Sequence, residues 1–140
     1  MNPTTTFTRR ATTLAALVIG LAAGPAFAGE QALSGANEVP PVATTAAGTG
    51  NISVAADGAV SGSVMTTGVQ GTMAHIHLAP AGKNGPVIVP LTAGANGVWQ
   101  VPAGAKLDEA QMKAYQAGEL YVNVHSAANK GGEIRAQLKP

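Results

Sequence analysis

Polar and aliphatic residues alternate strictly in two stretches of this chain, Met73-Ala74-His75-Ile76-His77-Leu78 and Leu120-Tyr121-Val122-Asn123-Val124-His125. A period of two marks a strand with one face in a core. It excludes a helix, whose apolar positions recur every three or four residues. In the first stretch Ala74, Ile76 and Leu78 share a face, with Met73, His75 and His77 opposite. In the second, Leu120, Val122 and Val124 oppose Tyr121, Asn123 and His125. These two stretches hold all 3 histidines of the chain. If the aliphatic faces line the core, the three imidazoles point out of it, onto a polar surface.

The remaining segments are also short and punctuated by turns. Gln31 to Ser34 reads as a first strand, and Gly35 to Val42 as extended chain, because Pro40 and Pro41 remove donors and disfavour helix before them. Gly48 to Val54 and Val60 to Thr66 form a hairpin about Ala56-Asp57-Gly58, since Asp-Gly supplies the positive φ angles of a tight turn. Pro80-Ala81-Gly82-Lys83-Asn84-Gly85-Pro86 is a loop. Val87 to Leu91, broken by Pro90, is an edge strand, and Gly97 to Val101 carries Trp99, which belongs in the core. One helix follows Asp108, a good N-cap, and ends at Gly118. Leu107, Met112 and Tyr115 are its packing residues. After Leu120 to His125, the turn Asn129-Lys130-Gly131-Gly132 leads to a last strand, Glu133 to Leu138. Seven or eight short strands of this kind predict an all-β antiparallel fold, a Greek-key or immunoglobulin-like sandwich or barrel, with one short helix.

The first 28 residues read as a cleaved secretory signal peptide. Arg9 and Arg10 are its basic end, Leu14 to Ala23 its apolar run and Ala26-Phe27-Ala28 its cleavage site. The apolar run is too short for a permanent membrane span. A twin-arginine signal is disfavoured, because no apolar pair follows the arginines. Residues 29–140 are then a single domain, periplasmic or secreted, with no membrane anchor. Without Arg9 and Arg10 that domain has six basic against seven acidic residues, a formal charge of −1. A near-neutral domain with no basic stripe argues against nucleic acid as a partner. The absence of cysteine (Cys 0) excludes disulfides, thiolate metal sites and a cysteine nucleophile.

The last two strands, joined by a Gly-rich turn, pair as a hairpin. Their polar faces then bring Tyr121, Asn123 and His125 beside Glu133, Arg135 and Gln137. With the His-x-His strand alongside, His75, His77 and His125 meet. Three neutral imidazoles with an open position are a recurring site for copper or zinc. Asn123 or Glu133 would orient a ligand ring, and the thioether of Met73 on the same face would favour Cu(I). The plainer reading is that polar strand faces carry such residues without binding anything. On that reading Glu133 and Arg135 form a solvated ion pair, and Met65 and Met73 are surface or packing residues.

Five blocks carry a resemblance to a known family. Leu33-Ser34-Gly35-Ala36-Asn37-Glu38-Val39-Pro40-Pro41-Val42, Ala74-His75-Ile76-His77, Asn84-Gly85-Pro86-Val87, Gly118 to His125 and Gly132 to Leu138 resemble, in order, the motifs of the CHRD domain, named after the chordin repeats. The resemblance implies an immunoglobulin-like β-sandwich or barrel, found alone in exported bacterial proteins and repeated in chordin. It implies little about activity. A weaker likeness is to the copper–zinc superoxide dismutase barrel, which also carries a His-x-His strand and a later histidine on its exterior. This chain lacks a bridging fourth histidine, a cysteine pair and a zinc loop, so a binuclear site is excluded and a mononuclear one remains. The candidate functions are a non-catalytic metal-binding domain and a metal-free module that binds another extracytoplasmic protein. An enzyme ranks last, because Ser126 and His125 are strand neighbours that face opposite ways and make no nucleophile–base pair.

Overall fold

The computed structural model describes residues 29–140. The expected signal peptide, residues 1–28, lies outside the described residues. The first half supplies β1 (Gln31–Ser34), a 3-10 turn (Gly35–Asn37), β2 (Ala47–Gly50), β3 (Ser53–Val54), β4 (Val60–Ser61), β5 (Ser63–Thr67) and β6 (Gly71–Leu78). Then come β7 (Val87–Pro90), β8 (Thr92–Ala93), β9 (Val98–Gln100), α1 (Glu109–Gln116), β10 (Leu120–Ser126) and β11 (Ile134–Leu138). The stretch expected to be wholly extended, Gly35 to Val42, thus opens with one helical turn, ahead of the prolines that end it.

Nine strands form one antiparallel sheet in the order β7-β6-β10-β11-β1-β2-β5-β9-β8. The two outermost strands, β7 and β8, are separated in the chain by Leu91 alone. The Leu91 N–H donates to the Ala74 carbonyl of β6 at 2.9 Å, so the chain itself bridges the two ends of the sheet. The result is a nearly closed barrel, and β7, expected at an open edge because of Pro90, sits where the barrel shuts. Closure removes the unpaired strand edges that would otherwise recruit another chain.

Alternation decides what fills the barrel. Leu33, Ile52, Val64, Ile76, Leu120, Val122, Val124, Ile134 and Leu138 all point inward and are essentially fully buried. Each such side chain contributes about 1.5–3 kcal/mol relative to exposure. Trp99 closes one part of this core, and Leu107 with Tyr115 anchors α1 against it. The long hairpin from Ala47 to Thr67 is interrupted at Gly62, where φ is +112° and a side chain would strike the Asn51 carbonyl. The tip beyond it, β3 and β4, pairs separately. Asp108 caps α1 by accepting from the Gln111 N–H, while the Gln111 side chain accepts from the Asp108 N–H.

Candidate metal centre

Strand register builds the site. In β6 and β10, Val124 lies opposite Ala74, Val122 opposite Ile76 and Leu120 opposite Leu78, which fixes the aliphatic face. The same register sets Met73 against His125, His75 against Asn123 and His77 against Tyr121 on the other face. On the far side of β10, Asn123 faces Arg135 and Tyr121 faces Gln137. A slip of one residue would drive the aliphatic set out of the core, so the polar constellation is held by the same energy as the barrel.

This polar face is not the solvated surface expected from its alternation. Tyr121, Asn123, His125 and Arg135 are buried, and so is His77, while His75 is half-buried. Two irregular segments cover the face. Asn84 in the loop after β6 donates to the Val39 carbonyl at 2.7 Å, tying that loop to the segment after β1. Asn37 donates to the Arg135 carbonyl at 3.1 Å, and Arg135 donates to the Pro80 carbonyl and the Asn84 Oδ1, each at 3.3 Å. The Gly/Pro-rich stretches thus serve as a roof, and the barrel has a second, polar core outside its wall.

The expected Glu133–Arg135 ion pair does not form. Arg135 is 1 % exposed, and its guanidinium stacks 3.4 Å from the centre of the Tyr121 ring. Tyr121 also stacks on His77, 4.7 Å between ring centres and 2° from parallel. Since β6 and β11 flank β10 on opposite sides, the Tyr121 ring lies between the imidazole and the guanidinium. Glu133 instead accepts from the Thr44 hydroxyl at 2.7 Å, and hydrogen bonding from Ser126, then Thr44, holds its carboxyl below the usual range. It orients no imidazole, so that expectation is corrected. The signal missed was steric: beneath the roof Arg135 is 1 % exposed, and the Pro80 carbonyl with the side-chain oxygens of Asn84 and Gln137 accepts from its guanidinium in place of water.

The three imidazoles do converge. Ring centres are 4.9 Å apart for His75 and His125, 5.5 Å for His75 and His77, and 5.9 Å for His77 and His125. One ring nitrogen from each lies within 4.8 Å of the other two. Carbonyl oxygens orient two of the rings. His125 Nδ1 donates to the Lys130 carbonyl at 2.8 Å, and His77 Nδ1 donates to the Gly85 carbonyl at 2.9 Å. A carbonyl can only accept, so both Nδ1 atoms carry the proton and both Nε2 atoms present lone pairs. His75 Nδ1 lies 3.1 Å from the Nε2 of His125. This is the outer support that metal-binding histidines need, supplied by backbone rather than by Glu133.

Two buried acceptors, His77 Nε2 and Asn123 Oδ1, have no donor within the protein. Leaving a buried polar atom unpaired costs about 1–3 kcal/mol. A cation or a proton at this point relieves the His77 atom. The proton is disfavoured: burial pushes the His77 pKa below the usual 6.5 despite the Gly85 hydrogen bond. Burial, followed by the neighbouring His125 and His77, lowers that of His75 as well. Neutral imidazole is the metal-binding form. Tetrahedral nitrogen ligands about 2.0–2.1 Å from a metal lie roughly 3.4 Å apart, close to the 3.1 Å between His75 and His125, while all three nitrogens lie within 4.8 Å of one another.

The other expected residues take distinct places. Asn123 lies behind the histidines and helps stabilise a charged His77, while its amide nitrogen is 3.4 Å from both Glu38 Oε1 and the Gly131 carbonyl. Met73 stands on the histidine face opposite His125 and is 49 % exposed. Glu38 was not singled out as a site residue. Its carboxyl is buried beneath the roof, and burial raises its pKa against the opposing pull of Asn123 and Arg135. Ser126 Oγ accepts from the Asn129 N–H rather than meeting an imidazole. A cleft of about 1050 Å³, lined by Glu38, Arg135 and Gln137 among others, has no histidine in its lining.

The motif blocks make both the ligand strands and the roof over them, and the family profile of the CHRD domain matches residues 30–138. The chain belongs to the CHRD family. No curated protein and no solved structure matched it. Within this CHRD domain no described helix is long and apolar enough to cross a membrane.

Proposed function

We propose that this CHRD protein is an exported, non-catalytic binding domain whose ligand is a single copper or zinc ion held by His75, His77 and His125. The observation that carries the reading is the convergence of three imidazole nitrogens within 4.8 Å, with two of the rings oriented by backbone carbonyls. The unpaired, buried His77 Nε2 supports it further. Export rests on the basic, apolar and small-residue pattern of residues 1–28. The role would be storage or delivery, since the histidines have no carboxylate or nucleophile among their hydrogen-bond partners.

A second reading has its own support. The hydrogen bond between His75 and His125 partly satisfies the cluster without any ion, as a metal-free interaction module requires. Calorimetric titration of the tag-free protein with Cu(II), Zn(II) and, under anaerobic conditions, Cu(I) separates the two. The metal reading expects one site per chain, lost in His75→Ala, His77→Ala and His125→Ala alike. Equal, weak binding by the wild type and all three variants would favour the interaction module.

A further inference from the structure

We infer that the ion this site is built for is Cu(I), with the exposed thioether of Met73 as a fourth, displaceable donor at its mouth. The inference rests on the metal reading of the histidine cluster and specifies the ion and an additional ligand.

Charge is the first argument. Imidazole carries no charge when it ligates a metal, and no carboxylate is hydrogen-bonded to any of the three histidines. Glu133 is engaged by Thr44, and Glu38 lies behind Asn123. A charge that acts on His77 from outside the cluster is the cationic Arg135, which shares the stack on Tyr121. A bound ion therefore keeps its full charge in a partly buried place. The cost of withdrawing an ion from water rises with the square of its charge, so a monovalent ion is penalised far less than a divalent one.

Softness is the second argument. Imidazole alone suits divalent zinc and copper as well as Cu(I), whereas a soft thioether donor shifts the preference towards Cu(I). Register places Met73 directly across from His125 and two residues before His75, on the same face. Val87, paired with His77 across β6 and β7, is 47 % exposed, and Pro90, paired with His75, is also exposed. Two of the three large exposed hydrophobics in the described domain, Met73 and Val87, therefore rim this one cluster. The roof closes the inner side of the site, so the thioether stands on the side left open to solvent. A donor on an exposed, unbranched side chain can engage and release the ion without disturbing the barrel.

The test is an anaerobic competition titration of Cu(I) against a chromophoric chelator, alongside Zn(II) titration, on wild type, Met73→Leu and His75→Ala. X-ray absorption of the Cu(I) forms accompanies it. We expect one Cu(I) per chain bound more tightly than Zn(II), a sulfur scatterer in the wild type, and loss of that scatterer in Met73→Leu. Cu(I) affinity should fall on the order of tenfold in Met73→Leu, with Zn(II) affinity unchanged. Because Met73 is exposed, this variant should melt as the wild type does without metal. Equal Cu(I) affinity and no sulfur signal in either protein would overturn the inference and leave the histidine site standing, as would preferential Zn(II) binding. Failure of the wild type to bind either ion better than His75→Ala would remove the metal reading beneath it.

Discussion

Each imidazole of the cluster has a different tie to the fold. His125 is held by Lys130 and His77 by Gly85, whereas His75 contacts only its fellow histidine by hydrogen bonding. Removing His77 also removes a stacking partner of Tyr121, so His77→Ala should lower metal-free stability more than His75→Ala. Urea unfolding of the two variants in the presence of chelator measures the difference. The depressed pKa values of His75 and His77 also set a pH dependence. Both groups bind protons more readily in the unfolded chain, whose imidazoles titrate near 6.5. Stability of the metal-free protein is therefore fully present above that pH and is lost progressively as pH falls through the lower, folded-state values. The buried Arg135 adds to this loss by repelling a charged His77, whereas Glu38, whose pKa burial raises above 4.5, binds protons more readily in the folded protein and partly offsets the loss as pH falls. Denaturation midpoints between pH 7.5 and 5, of the order relevant to imidazole titration, should fall in wild type and fall less in the His75→Ala/His77→Ala double variant.

At the scale of elements, the turn from β10 to β11 matters most. Gly132 has φ +127°, and any side chain there would strike Glu38 Oε1 and Asn123 Nδ2. Gly132→Ala should therefore destabilise the domain by about 1–3 kcal/mol and loosen the roof over the cluster. Chemical denaturation reads the first effect, and faster amide exchange in residues 35–42 reads the second. Helix α1 is a separate matter. Its capping box was visible as Asp108 alone in the sequence, and Gln111 completes it. Asp108→Ala should cost about 1 kcal/mol in the same unfolding experiment without changing metal affinity, because α1 holds none of the ligands.

For the whole molecule, the barrel and the cluster share β6 and β10, so folding and binding are linked. An ion that binds only the folded form adds about 2.7 kcal/mol at a free concentration 100 times its Kd. Thermal melts should rise with metal in the wild type and stay flat in His125→Ala. The interior behaves independently of this linkage. Ile134, fully buried on the aliphatic face of β11, should cost about 2–5 kcal/mol when cut to Ala, with a lower melting temperature whether or not metal is present.

Much of this organisation is legible along the chain. The alternations around His75 and His125, the Asp57-Gly58 turn, the Asp108 cap and the glycine at 118 are local, and local physics determines them: a period of two, a positive φ, an orphan N–H. The grouping of three histidines on one sheet face follows from the same alternation once two hairpin-like pairings are granted. What only the tertiary structure decided is whether that face meets water. Alternation distinguishes the two faces of a strand, but it carries no information about what lies over the outer one. Segments 35–42 and 80–86, distant in sequence and short of regular hydrogen bonding, close over Tyr121, Asn123 and Arg135. Their placement depends on contacts between residues roughly fifty to a hundred positions apart, such as Asn37 with Arg135 and Asn84 with Val39. That long-range covering turned a polar surface into a polar core, removed the expected ion pair, and left His77 with a buried lone pair.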